Sequence, residues 1–292
     1  MKKKQSSVNK KDYSLEDLPK TRWEQFWRIL RDNFALIIKL GLILLVLILP
    51  FLVAYVMKYI NISYIEQSTS IEEADKLKNI AFINIIFGAI YVPCLMFFFI
   101  GLGGILKVLR RLMWDEPLFF KEDFFLGIKE NVGQFIFFSF LIGLIVFLNI
   151  FAYNSTLGWM KYVSYALLGV SYGLVIPMVM VTVFISSIYN NKLSVSFSVG
   201  LRLFIRRGIF PILFLLVLYS VYFLGLIDMS IIIYLAILFV LIIILLPIWL
   251  LGFYMNFIKN SDDCINTYYY TDQAYLGLYQ NKFKKDRTEQ KK

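Results

Sequence analysis

The sequence predicts an all-α fold. It is a polytopic transmembrane bundle of six spans, paired into three hairpins, with an amphipathic cytoplasmic lead-in helix before each. Three observations carry this reading. Six apolar stretches lie at about 34–60, 80–108, 135–151, 163–188, 209–227 and 231–257, each close to the roughly 20 residues that a helix needs to cross a hydrocarbon core. The chain is 59% hydrophobic, above the share usual in a soluble domain, and six such stretches in a row expose more apolar surface than a soluble fold can cover. The Lys and Arg residues alternate between the gaps. The arm up to 33 holds nine, the gap at 61–79 two, and the gap at 109–134 with Lys107 five. The gap at 152–162 holds one, that at 189–208 four, the turn at Asp228 none, and the tail from 258 seven. Basic loops stay cytoplasmic, so this alternation sets both termini inside a plasma membrane.

Along the chain, residues 1–20 read as a solvated, disordered cytoplasmic arm, 21–260 as the membrane domain and 261–292 as a cytoplasmic tail. The first apolar run follows 33 mostly polar residues and is too long for the h-region of a signal peptide, so it reads as a signal anchor. Before it, Thr21 and Glu24 fit a capping box. Trp23, Phe26, Trp27, Leu30 and Phe34 fall on one helical face, with Arg28, Arg31 and Asp32 elsewhere. Lys39 and Lys58 lie near the ends of the first span, where they can snorkel to headgroups. The first outer gap is acidic (Glu66, Glu72, Glu73, Asp75).

The second span carries Asn84, Pro93, Cys94 and Gly101-Leu-Gly103-Gly104. Those glycines read as helix packing rather than a phosphate loop, despite Lys107, because they lie in a hydrophobic span. Asn84 and Asn149 read as hydrogen bonders between helices. Asn61-Ile-Ser63 and Asn154-Ser-Thr156 have the form of glycosylation acceptors, a triplet common by chance. The second lead-in, LFFKEDFFLGIKEN, stacks Phe120, Phe124 and Ile128. In the fourth span Gly169 and Gly173 form a GxxxG pattern that argues for close helix contact, within the bundle or between protomers.

The third lead-in, LSVSFSVGLRLFIRR, alternates as a strand would, but its place in the repeat favours helix. Phe26, Trp27, Leu30, Arg31, Asp32 and Asn33 of the first lead-in correspond to Phe124, Phe125, Ile128, Lys129, Glu130 and Asn131 of the second. Each hairpin's second helix carries a proline near its middle: Pro93, Pro177 and Pro247. Pro50 and Pro211 also fall within or at the start of a span. Both recurrences suggest an internal threefold repeat. The prolines read as kinks and packing devices, or as breaks around a central path. The tail's Tyr268, Tyr269, Tyr270, Tyr275 and Tyr279 suit an interfacial segment.

Absences narrow the chemistry. There is no histidine, which removes imidazole acid–base work, triads and imidazole zinc sites. Cys94 and Cys264 sit at different levels and read as free thiols. No cofactor or metal site is expected, and no acid falls within the six spans, where proton- and cation-coupled carriers place one. The net charge of +10 is spread over cytoplasmic segments. It suits an anionic inner leaflet rather than nucleic acid.

The segment GLGGILKVLRRLMWDEPLFFKEDFFLGIKENVGQF, through Leu118, Phe119, Asp123, Phe124, Phe125, Lys129 and Asn131, resembles YesL-like bacterial membrane proteins. The chain differs from them in a longer N-terminal arm, an added outer loop and the eight-residue spacing from Pro93 to Gly101. The resemblance implies an accessory membrane component of unknown function, often associated with carbohydrate uptake, and supplies no active site.

Function then divides three ways. The first is a non-enzymatic accessory or scaffold subunit, docking ABC transporter components through Phe120, Asp123, Phe124, Lys129, Asn131, Arg202 and Arg206. The second is a transporter or channel subunit in its own right, such as the membrane half of an ATP-driven pump, although neither cytoplasmic gap shows an E-A-A-x-x-x-G loop. The third, a membrane enzyme, would need a site built from cytoplasmic Asp, Glu and Tyr, and the expectation is no enzyme. Alternatively the lead-ins simply lie in the inner interface. A homo-oligomer is compatible with the GxxxG face.

Overall fold

Backbone amides in hydrocarbon have no water to bond, so apolar segments satisfy them internally as helix. A computed structural model describes residues 22–68, 72–114, 116–155, 157–188, 193–209, 211–213, 215–216 and 230–255. The arm at 1–20, most of the expected fifth span (209–227), and the tail at 261–292 with Cys264 and its tyrosines lie outside them. Among the described residues every regular element is helical: α1 (Arg22–Asp32), α2 (Phe34–Gln67), α3 (Glu73–Met113), α4 (Phe120–Tyr153), α5 (Gly158–Val170), α6 (Ile176–Ser186), α7 (Leu193–Arg207), α8 (Ile231–Val240) and α9 (Leu246–Phe253). One π-helical turn, Ser171–Val175, joins α5 to α6, and another, Leu241–Leu245, joins α8 to α9.

The first four helical stretches, 34–67, 73–113, 120–153 and 158–186, are longer than the matching apolar stretches. At 1.5 Å per residue, α3 with its 41 residues overshoots a core of about 30 Å. The second lead-in and third apolar stretch form one rod, α4: no proline separates them, and the helix continues through the polar run Lys129–Gln134. The first lead-in, by contrast, is a separate helix. It parts from α2 at Asn33, whose φ of −122° and ψ of 25° leave the helical region. The third lead-in is helix α7, as its place in the repeat favoured.

α3 and α4 run antiparallel along most of their length. Arg111 faces Asp123, Lys107 faces Glu130, Gly143 faces Val92, and Asn84 Nδ2 donates to Asn154 Oδ1 at 3.0 Å. Glycine sets the spacing. A Cβ on Gly104 would lie 2.6 Å from the Phe124 carbonyl oxygen, and one on Gly127 would lie 2.7 Å from that of Gly103. The 101–104 glycines therefore do act in helix packing. For the Gly169–Gly173 pair, no described residue lies within 4 Å of either Cβ position. Asn149 bonds between helices as expected, Nδ2 donating to Ser164 O at 2.9 Å.

The two π turns have a common cause. Each ends two residues before a proline, Pro177 or Pro247. A proline ring collides with the carbonyl four residues back and offers it no N–H. Widening the turn ahead of it, with Ile176 N–H donating to Ser171 O and Leu246 N–H to Leu241 O, moves that carbonyl aside. Ser171 Oγ adds a bond back to Leu167 O at the start of the first turn. Pro50 and Pro93 sit inside helices that remain α-helical throughout.

The core lies at the end of the bundle that carries Arg110 and Arg111, the basic end. There α3 is buried almost all round, with Ile105, Leu106, Val108, Leu109 and Met113 at 0% exposure. A helix apolar on every side belongs at the centre. Around it pack α1, the start of α2, the start of α4, and the ends of α6 and α9.

Candidate functional site at the basic end

Three cations stand on the last two turns of α3. Lys107 Nζ lies 2.7 Å from Glu130 Oε2, both side chains largely buried. Arg111 Nε lies 2.9 Å from Asp123 Oδ1, an ion pair whose N–H is not aligned as a hydrogen bond. Its Nη1 donates to Pro117 O at 2.8 Å. Arg110 Nη1 donates to Ile188 O at 2.9 Å, just past α6, where a cation suits the negative helix end. Asp123 also accepts from Phe119 N–H at 2.8 Å, closing the first turn of α4. Gln25 Nε2 of α1 donates to Met113 O, capping the last carbonyl of α3.

The ends of α3, α6 and α9 meet at Tyr254, which is fully buried. Its hydroxyl lies 3.0 Å from Ser187 Oγ. Ser187 donates its own proton to Phe184 O at 2.6 Å, so Tyr254 is the donor between them. Trp114 packs edge-on to Tyr254, and Phe184 edge-on to Phe253. These contacts close the basic end with side chains.

The residues expected to dock a partner separate into two groups. Asp123 and Asn131 are buried against α3, at 2% and 3% exposure. Phe124 packs on Gly104, and Phe120 is half-buried beneath Lys39 Nζ, 3.9 Å from its ring centre. Lys129, Arg202 and Arg206 are exposed. Asn131 Oδ1 is buried without a hydrogen-bond partner, and its Nδ2 makes only a 3.4 Å bond to Gly127 O.

Sequence reasoning missed the roles of Arg110, Arg111, Glu130, Ser187 and Tyr254. A signal for Arg111 and Glu130 existed. Lys107 and Arg111 are four apart on one helix, Asp123 and Glu130 seven apart on the next, so each pair shares a face. The apolar face that Trp23, Phe26, Trp27, Leu30 and Phe34 share in the sequence divides in the structure: Phe26, with Ile29, packs into the bundle, while Trp23 and Trp27 are 58% and 51% exposed. The apolar arc of α1 is wider than its contact with the bundle.

Each lead-in packs on the far part of another hairpin's second helix: Phe124 on Gly104, Gly200 on Thr182, and Phe26 beside Gly252. Exposure repeats too. Trp27 and Phe125 are exposed, Leu30 and Ile128 half-buried, Arg31 and Lys129 exposed.

Among the described residues no three His, Cys, Asp or Glu side chains are grouped as a metal site would require. Cys94 is a free thiol. Five stretches of helix are long and apolar enough to cross a membrane: Phe34–Gln67, Glu73–Met113, Phe120–Tyr153, Gly158–Ser186 and Ile232–Phe253. The class is therefore an α-helical membrane protein. Beyond that class, no protein-family model, curated protein or solved structure matches the chain.

Proposed function

We propose that the chain spans a bacterial plasma membrane six times, as three hairpins with both termini cytoplasmic. It serves there as a non-enzymatic accessory or scaffold subunit of an uptake system. The observation that carries this is the gathering of all three lead-ins, α1, the first turns of α4, and α7, at the one end where the basic residues concentrate. Under the positive-inside rule that end faces the cytoplasm. The equivalent packing of Phe26 and Phe124 supports the internal repeat. The likeness of the 101–135 segment to YesL-like proteins supports a place beside carbohydrate-uptake components, among which an ABC transporter is the candidate partner.

In this reading the buried pairs at Lys107 and Arg111 hold α4 rigid. The outer faces of the lead-ins, with Lys129, Arg202 and Arg206, meet the partner or the membrane. Purification in mild detergent through a terminal tag tests the role. Transporter components should co-purify, and recovery of the chain alone would count against the accessory role.

The π turns ahead of Pro177 and Pro247 favour a second reading, a transporter subunit whose α6 and α9 ends move about those turns. Flux of sugars, peptides or lipids into vesicles holding only this chain would establish it. Absence of all three would remove it.

A further inference from the structure

α7 differs from the other lead-ins in its charge. From Leu193 to Arg207 it contains no acidic residue, and none occurs anywhere between Glu130 and Asp228. One face of α7 is taken by the bundle. Ser196 is buried there, and Gly200 sits against Thr182, where a Cβ would lie 2.2 Å from Oγ1. The opposite face is open. Arg202 and Arg206, one turn apart, are exposed and make no ion pair with another described residue. Beside them Leu201, Ile205 and Ile209 are exposed at 36%, 74% and 77%. That stripe continues into the helical residues beyond it, where Leu213 and Leu216 are exposed as well.

An open apolar stripe beside arginines that pair with no described carboxylate, at the mouth of an apolar segment, is the layout of a helix seated in a membrane interface. Water would leave the stripe unburied. An acidic protein surface would answer the arginines but not a stripe continuous with the surface that meets lipid. A lipid answers both: its acyl chain covers the stripe, and its phosphate accepts the fork of the guanidinium.

We propose that the outer face of α7 is a binding site for an anionic phospholipid. Arg202 and Arg206 hold its headgroup, and Leu201, Ile205 and Ile209 hold one acyl chain. The proposal names the lipid partner of the basic end and rests on reading that end as flanking a membrane.

The test uses the full chain in mixed micelles with equal phosphatidylglycerol and phosphatidylcholine, counting retained lipid by native mass spectrometry. Phosphatidylglycerol should be retained in preference. The double variant R202Q/R206Q should bind it about 30-fold more weakly, the worth of two basic side chains near an anionic surface. The charge-conserving R202K/R206K should keep most of the preference. High salt should reduce it, while inorganic phosphate should not displace the lipid.

Equal retention of both lipids by the unaltered chain overturns the site, as does an unchanged preference in R202Q/R206Q. An equal loss in K121Q/K129Q assigns the preference to the whole basic end and overturns α7 as its seat. Displacement by phosphate reduces it to an adventitious anion site. Loss of a co-purifying protein from R202Q/R206Q with the lipid preference intact makes the face a protein dock instead. Because micelles have no inside, a failed orientation or a missing transport partner would leave this result untouched.

Discussion

Gly41 on α2 tests the packing most directly. A Cβ built there would lie 1.9 Å from the carbonyl oxygen of Ile243, 2.7 Å from its carbon and 2.9 Å from its Cα. Ile243 belongs to the π turn Leu241–Leu245, and its oxygen is the one that Pro247, lacking an N–H, cannot bond in α-helical register. The proline-widened turn and the glycine form one contact, since only a hydrogen fits between the two backbones.

Gly41→Ala must part them by roughly 1.5 Å to restore an ordinary contact of about 3.4 Å. No rotamer change can relieve a clash with main chain. The cost should sit at the upper end of the overpacking range, about 3 kcal/mol. Alanine's better helix propensity returns up to about 1 kcal/mol. The net loss is about 2 kcal/mol. Thermal unfolding of the purified protein in detergent measures it, with Gly169→Ala as the comparison because its Cβ would meet open space. If Gly41→Ala unfolds at or above the temperature of the parent, the close approach of α2 to the π turn is wrong. Gly169→Ala should be neutral or slightly stabilising in the monomer. A change in oligomeric state with it would place the open glycine face between protomers.

Further outcomes follow from the buried pairs. Asp123→Ala removes both the nearer of Arg111's two carboxylate partners and the acceptor of Phe119 N–H, costing about 3 kcal/mol. Asp123→Asn keeps an acceptor and should cost less, so equal losses in chemical denaturation would refute the capping role. Glu130→Ala strands Lys107, 13% exposed, at about 2 kcal/mol given the partial exposure of Glu130. The double change Lys107→Met with Glu130→Leu should recover much of that loss, and a fully additive loss would argue against the pair. Tyr254→Phe should cost only about 1 kcal/mol, because Ser187 keeps its bond to Phe184 O. Tyr254→Ala empties the junction of three helix ends and should cost about 4 kcal/mol; similar melting temperatures for the two variants would contradict the packing described.

Much of the fold can be read from residue order because hydropathy and helix periodicity are local. The apolar stretches, the helical lead-ins, the packing role of Gly101–Gly104 and the bridging asparagines are all visible in short windows. Boundaries are not. The third apolar stretch begins near 135, yet α4 begins at Phe120, because hydropathy senses the solvent a segment would prefer and not where its hydrogen bonds continue. The packed part of the apolar face of α1 is not local either. Its apolar arc holds five large residues, and which of them touch the bundle depends on where α3 and α9 stand.

Composition and order alone determine that this chain is helical, belongs to a membrane, and carries its cations in alternate gaps, since each property sums over neighbours in sequence. Only tertiary structure decides that Lys107, Arg110 and Arg111 are half-buried beside the packed core. It also decides that Asp123 and Asn131 face inward while Arg202 and Arg206 face out, and that Gly41 meets a proline-freed carbonyl about two hundred residues away. Burial and pairing depend on which helix stands beside which, and that is set by the fit of backbones at glycine.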